Sequence, residues 1–261
     1  MNGKFALKQR WIVALAAVVM IVGATGALGA QSVLRVGNAT EPASLDPQYS
    51  TTGATQQASQ QIFETIVGRD KNLQLSPSLA LTWKEVDPLT WELKLRQGVK
   101  FHDGKDFGAD DIIYSIKRIP RVPDSPSSYK RNVAAVKDVV AVDNYTVRIL
   151  LKTTQPQLPL DLSFVYVLPS TTPIEATIDD FNKGKYVVGT GPFKFVEWVR
   201  GDRLVLEKFA AYWGRKSSYD KVIFRPITND PSRVAALLAG DVDIIDQVSP
   251  VDQDRLRKDS R

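Results

Sequence analysis

Cysteine is absent from all 261 residues, and histidine occurs once. Without a thiol there is no disulfide, no thiolate nucleophile and no zinc–thiolate site, and a lipid-modified cysteine is excluded as well. The single histidine, His102, rules out metal sites built from histidine clusters and leaves only carboxylates as metal ligands. No G-x-S-x-G element occurs in the sequence, so the usual signature of an activated serine is missing. His102 stands beside Asp103 in VKFHDGKDF, but neighbours on a loop seldom point at one atom, and a structural role is expected for it. Beyond residue 30 no run of Lys and Arg is long enough to follow a phosphate backbone; Lys117-Arg118 and Arg255–Lys258 read as solvated helix faces, and no nucleic-acid partner is expected. Asp110-Asp111 and Asp179-Asp180 stand at helix starts, where negative charge is favoured, so capping accounts for both pairs. What remains does not assemble a nucleophile, a base and an oxyanion site. Binding rather than catalysis is expected, with no cofactor and no metal.

The net charge of +5 is concentrated at the start of the chain. Lys4, Lys8 and Arg10 are three of the 34 basic residues, and no acidic residue precedes residue 31, so the remainder carries 31 basic against 29 acidic, or +2. MNGKFALKQR is a basic n-region, Trp11–Val22 an uncharged apolar core, and Gly23–Ala30 a small-residue stretch. Residues 1–30 therefore read as a secretory leader, cleaved after Gly29 or Ala30. The competing reading is an uncleaved anchor, since a span needs about 20 apolar residues; the Gly/Ala-rich second half is only weakly apolar, which favours cleavage. An exported chain with neither disulfide nor lipid anchor points to the periplasm or to free secretion.

Downstream, Ser32–Asn38 reads as a strand and Thr55–Val67 as a helix, with Ala58, Ile62, Phe63, Ile66 and Val67 at helical spacing. Hairpins are expected for Trp83–Val86 with Trp91–Arg96, for Asp138–Val142 with Tyr145–Leu151, and around Arg200-Gly201-Asp202. That RGD is read as a tight turn rather than an adhesion motif. Helices are expected at Ala109–Ile119 and from Asp230-Pro231 to Ala239, the latter stopped by Gly240. Pro120–Ser128 reads as a surface excursion. Strands and helices mix without regular βαβ alternation, so the expected class is mixed α/β. The opening of GTGPFKFVEWVRGDRLVLEKFAAYWG raises the question of a phosphate cradle. Such a cradle needs consecutive backbone N–H groups leading into a helix. Here Pro192 removes one of them and a strand follows, so scaffold is the expected reading. Five tryptophans and eight tyrosines suit a binding cleft or core packing alike.

Four blocks, in this order, carry a more specific signal: RVGNATEPASLDPQYSTTGATQQASQQIFETIVGRD, LALTWKEVDPLTWELKLRQGVKFHDGKDFGADDIIYSIKR, VVGTGPFKFVEWVRGDRLVLEKFAAYWG and NDPSRVAALLAGDVDII. Together they resemble the extracellular solute-binding proteins of peptide/nickel-type ABC importers, family 5, from residue 33 onward. The resemblance implies a fold like type II periplasmic binding proteins. Lobe I would come from residues 31–52 and 186–261, and an extra second domain from 53–185. It also implies capture of a peptide or another small solute and its delivery to an inner-membrane ABC permease by a monomer. The implied ligand-facing positions are Thr51, Thr52 and Gly53 after Ser44-Leu45-Asp46-Pro47, the stretch Tyr166, Val167 and Leu168, and Tyr129; plain core strand is the competing reading for residues 166–168. One departure is Gly108 at the cap of the Ala109 helix, where the family has Thr, Ser or Asn. The other is the end of the resemblance at Arg261, before an opposing lobe, which implies a truncated copy. A non-transport exported binding or sensory protein, and a secreted hydrolase, stand as the alternative functions.

Overall fold

The computed structural model describes residues 31–126 and 129–259; the expected leader, residues 1–30, lies outside them. From Ser32 onward the chain forms one compact unit. In chain order its elements are β1 (Val33–Asn38), α1 (Gly53–Ile62), β2 (Gly68–Arg69), β3 (Leu75–Ser76), β4 (Ala80–Asp87), β5 (Thr90–Leu95) and α2 (Ala109–Arg118). There follow β6 (Val136–Asp143), β7 (Thr146–Leu151), α3 (Leu158–Leu162), α4 (Ile178–Asn182), β8 (Phe193–Val199), β9 (Arg203–Lys208), β10 (Lys221–Pro226), α5 (Asp230–Ala239), β11 (Ile244–Ile245) and α6 (Pro250–Arg257). Among the described residues no helix is long and apolar enough to cross a membrane.

Two larger sheets organise these elements. A five-stranded sheet runs β11-β1-β10-β9-β8, in which β1 is parallel to both β10 and β11 while β8, β9 and β10 form an antiparallel meander. The second sheet, β4-β5-β7-β6, is antiparallel throughout. On its inner face Leu93, Val147, Ile149 and Val139 are buried against Ile112 and Ile116 of α2. Its outer face is charged, and Glu92 pairs there with Lys94 and Arg148. This is the two-residue alternation of a half-buried antiparallel sheet, and the mixed α/β class stands.

The turns and caps follow from local chemistry. Asp87 Oδ1 accepts the Leu89 N–H at 2.9 Å in the β4–β5 turn, and Gly201 takes φ 75° in the β8–β9 turn, a left-handed conformation that glycine adopts without strain. The RGD is that turn. At α2, Asp111 Oδ2 accepts the Gly108 N–H at 2.9 Å, which supplies the reciprocal half of a capping box where Gly108 has no side chain to offer. Thr177 and Asp180 cap each other at α4. Asn229 caps α5, with Oδ1 accepting from Ser232 N at 2.9 Å.

One element differs from expectation. The helix expected to reach Val67 ends at Ile62, and Phe63 is extended, with φ −120° and ψ 155°. Thr65 then pairs with Tyr166 as an isolated antiparallel bridge, and Ile66 N–H donates to Val165 O at 3.0 Å. A short apolar run satisfies helix and strand spacing equally, and the β-branched Thr65-Ile66-Val67 is settled by its partner strand.

Candidate functional site

The carboxyl ends of the parallel strands β1, β10 and β11 come together at Asn38, Pro226 and Ile245. Open α/β sheets bind ligands at such ends. Asn38 is buried there, donating from Nδ2 to Gln57 Oε1 of α1 and, at 3.3 Å, to Asp246 Oδ2. Asp246 also accepts the Ala39 N–H at 2.9 Å, and Arg233, fully buried, lies 3.8 Å from it. Asn38 Oδ1 is buried without a hydrogen-bond partner, an acceptor left open at the strand ends. Just beyond, Glu41 Oε1 accepts from Trp198 Nε1 at 2.9 Å and from the Gly201 N–H at 3.0 Å. That carboxylate ties the turn after β1 to the β8–β9 hairpin.

The loop that follows is anchored from within. Asp46 and Arg118 form a two-pronged ion pair at 3.0 and 2.6 Å, each about 1 % exposed. Arg118 also donates to Gln48 Oε1 at 3.0 Å, and Gln48 Nε2 donates to Tyr166 O at 3.0 Å. Ser44 Oγ and the Leu45 N–H both donate to Asn182 Oδ1. The SLDP block is thus the fixed root from which Thr51, Thr52 and Gly53 project. Thr51 is half-buried, while Thr52 and Gly53 are exposed at the start of α1. Thr52 Oγ1 donates to Thr55 Oγ1 at 3.0 Å, and a Cβ on Gly53 would meet no atom within 4 Å.

Tyr129 and Tyr166 meet edge to face, with centroids 6.4 Å apart and planes at 86°. Tyr129 OH donates to Ser50 O at 3.3 Å, and burial pushes its phenol up to about 12. Burial raises Tyr166 further still. The two rings are 1 % and 5 % exposed, so both are buried, with Tyr129 joined to the backbone just before Thr51. Val167 and Leu168 lie elsewhere. Both are 0 % exposed in the core, and their N–H groups donate to Glu64 O and Ser115 Oγ. Both side chains lie in the core next to the isolated Thr65–Tyr166 bridge, with no surface exposed in this chain.

Tyr166 also lines a cleft of about 360 Å³ with Gln60, Glu64, Thr65, Arg69 and Ser163. Glu64 is its unusual member. Its Oε2 accepts from Thr190 Oγ1 at 3.0 Å and Trp213 Nε1 at 2.6 Å, and its Oε1 from Tyr212 OH at 3.0 Å. Burial still pushes the carboxyl up to about 7, against these donors and the Arg96 charge. Composition and spacing did not single out Glu64. Its signal was a lone carboxylate inside the apolar run Ile62–Val67, which a buried, hydrogen-bonded acid explains. Asn38, Glu41 and Asp246 were missed as well, because each is assembled from segments far apart in the chain.

His102 is structural. Its Nδ1 accepts the Gly189 N–H at 3.3 Å, its Nε2 faces Gly191 O at 3.0 Å, and burial lowers it to about 4. The loop it grips is the GTG element. A Cβ on Gly189 would lie 2.0 Å from Ile62 O, and one on Gly191 would lie 2.7 Å from Gln61 O. The glycines permit close backbone approach to the end of α1, and strand β8 follows them.

Comparison with known proteins agrees with this architecture. Residues 74–261 match the model of bacterial extracellular solute-binding proteins, family 5 middle. The glutathione-binding protein GsiB of Pectobacterium atrosepticum is 30% identical over 240 residues, covering 90% of this chain and 45% of that protein. The oligopeptide-binding protein AppA of Bacillus subtilis is 30% identical over 216 residues, covering 80% of this chain and 39% of AppA. The structure of AppA with a nonapeptide superposes with a TM-score of 0.78 over 87% of this chain and 46% of its own, at 30% identity. Helicobacter pylori DppA with the peptide STSA gives a TM-score of 0.76 over 88% and 50%, at 27% identity. The chain spans about half the length of the relatives it matches. It belongs to the bacterial extracellular solute-binding proteins of family 5.

Proposed function

We propose that the chain serves an ABC importer by capturing a peptide or a similarly polar small solute outside the cytoplasmic membrane, for delivery to the permease. The carrying observation is membership of a solute-binding family together with likeness to proteins solved with peptides bound, AppA and DppA. In this reading residues 1–30 direct export to the periplasm and are removed. Residues 31–52 and 186–261 form the lobe around the five-stranded sheet, and 53–185 form the extra domain around the four-stranded one. The solute lies along the exposed rim Thr51–Gly53, over the Tyr129–Tyr166 pair and beside the cleft floored by Glu64. Backbone groups freed at the strand ends and at the start of α1 hold its main chain. The protein acts by binding and release, as a monomer.

Isothermal titration of the purified chain with the tetrapeptide Ser-Thr-Ser-Ala and with glutathione tests this reading. A saturable heat with either, diminished by Gly53→Trp at the rim, is the expected result. No heat with either at about 1 mM, a concentration that registers even weak complexes, would overturn capture by this chain.

A further inference from the structure

A further cleft, of about 400 Å³, shares no residue with the Thr51–Gly53 rim or the Glu64 cleft. It opens where the end of α2, the 3₁₀ turn Ile119–Arg121 that follows it, and the start of β6 meet. Its floor is apolar, with Ile116, Val133 and Val139 buried. Its rim is cationic. Lys117, Arg121 and Lys137 are exposed there against a single carboxylate, Asp138. Lys117 Nζ pairs with Asp138 Oδ1 at 2.9 Å and holds that acid below its usual value. That pair is closed, so Arg121 and Lys137 remain as net positive charge. Among the described residues neither forms an ion pair, and Lys137 adds only a weaker, longer-range attraction to Asp138. Backbone geometry also sets Lys137 apart. β6 pairs with β7 at Val136–Leu151 and next at Asp138–Leu150, so Lys137 is the extra residue of a β-bulge, a device that re-aims a side chain. Bulges and lysines blunt free sheet edges too, and β6 is an edge strand. Edge protection does not call for a second unpaired cation from another element across an apolar floor. The helix end, with Asp46 and Asp138, accounts for Arg118 and Lys117;. It does not reach Lys137.

We propose that this cleft is a binding site for an amphiphilic organic anion, a phosphate or carboxylate carried on a short apolar body. The Arg121 guanidinium offers a planar fork that matches either oxyanion, and Lys137 supplies a second charge. The apolar body lies on Val133 and Val139, beside the aliphatic stems of the rim lysines. A volume of about 400 Å³ falls in the range of small-molecule sites. The same chemistry is found on organic anions free in solution and on the headgroups of anionic lipids. The site is independent of solute capture at the rim, because the two share no residue.

Titration of the whole chain with hexyl phosphate, followed by amide NMR at physiological salt, tests it. Saturable shifts are expected at Arg121, Val133 and Val136–Val139, with half-saturation at about 1 mM or below. Inorganic phosphate and hexanol each carry half of the chemistry and should bind at least about fivefold more weakly. Arg121→Glu combined with Lys137→Glu should weaken hexyl phosphate by about tenfold or more, because charge-assisted hydrogen bonds give way to repulsion. Lys216→Glu, outside the cleft, should change nothing. If the charge-reversed pair does not fold, Arg121→Gln with Lys137→Gln should still weaken binding by about threefold or more. Vesicles identify the source. Co-sedimentation with phosphatidylglycerol but not phosphatidylcholine, lost in the charge-reversed pair, marks a lipid headgroup; hexyl phosphate binding without vesicle binding marks a free anion. Shifts that do not saturate or that fall outside the cleft would overturn the proposal. So would unchanged affinity in the variants, or inorganic phosphate binding as well as hexyl phosphate, which is the mark of an adventitious ion only.

Discussion

The Asp46–Arg118 pair offers the most quantitative test of how the site is held. Both side chains are about 1 % exposed. Two hydrogen bonds join them, and Arg118 carries a third to Gln48. Removing one partner leaves a buried charge without its counter-ion, which costs about 3–5 kcal/mol. For a chain of this size that lowers Tm by about 6–20 °C. Asp46→Leu and Arg118→Met should each show it in thermal and urea unfolding. The double variant removes both charges and should recover most of the loss. Its residual cost is about 1–3 kcal/mol, because the Gln48 N–H, which now donates to Asp46 Oδ1 at 3.0 Å, loses its acceptor;. The single losses would sum to about 6–10 kcal/mol, so a coupling of at least about 3 kcal/mol is expected between the sites. Additivity within about 0.5 kcal/mol, or single losses below about 1 kcal/mol, would refute the reasoning. Because Gln48 reaches Tyr166 O, each single variant should also loosen the Thr51–Gly53 rim, seen as faster amide exchange there.

Other perturbations follow from the same contacts. Gly189→Ala drives a Cβ to 2.0 Å from Ile62 O and should cost about 3 kcal/mol or more; unfolding within about 0.5 kcal/mol of wild type would contradict the close approach. Glu41→Ala removes the acceptor shared by Trp198 Nε1 and Gly201 N–H and should cost about 1–2 kcal/mol, with a red shift of Trp198 emission, whereas Glu41→Gln should keep most of both. Gly240 ends α5 at φ 79°, so Gly240→Ala should destabilise by about 1 kcal/mol in urea melts. Asp220 receives Lys208 Nζ and the Ser32 N–H, which lower it from 3.8 to about 2. Its grip on the start of β1 is present above 3.8 and is lost as pH falls toward 2. Ser32 exchange should accelerate over that acid range in wild type, and Asp220→Asn should remove the pH dependence.

Much of the frame was legible in local pattern because local pattern causes it. The hairpins β4–β5, β6–β7 and β8–β9 pair residues close in sequence, and their turns are set by Asp87, Asp143 and Gly201;. The stop at Gly240 is a conformational requirement of one residue. The end of α1 was not legible. Ile62–Val67 is apolar whichever way it is wound, and the strand that claims Thr65–Ile66 lies a hundred residues away at Val165-Tyr166. The rim at Thr51–Gly53 came from family resemblance, since two threonines and a glycine before a helix look like any cap.

The GTG element shows why motif and chemistry part company. The same three letters could have cradled a phosphate had their N–H groups pointed at solvent ahead of a helix. Here the two glycine N–H groups and the threonine hydroxyl are already engaged within the protein. The Gly189 N–H meets His102, the Gly191 N–H meets Ile62 O, the Thr190 hydroxyl meets Glu64, and Pro192 has no N–H to offer. An anion would have to displace a histidine and a helix end while sitting beside a buried carboxyl. The glycines therefore answer to backbone crowding, and the only histidine in the chain answers to the glycines. Glu64, which no motif singled out, is a buried carboxyl whose ordinary value burial raises, and it lies where the end of α1, the loop and the Tyr212–Trp213 corner converge.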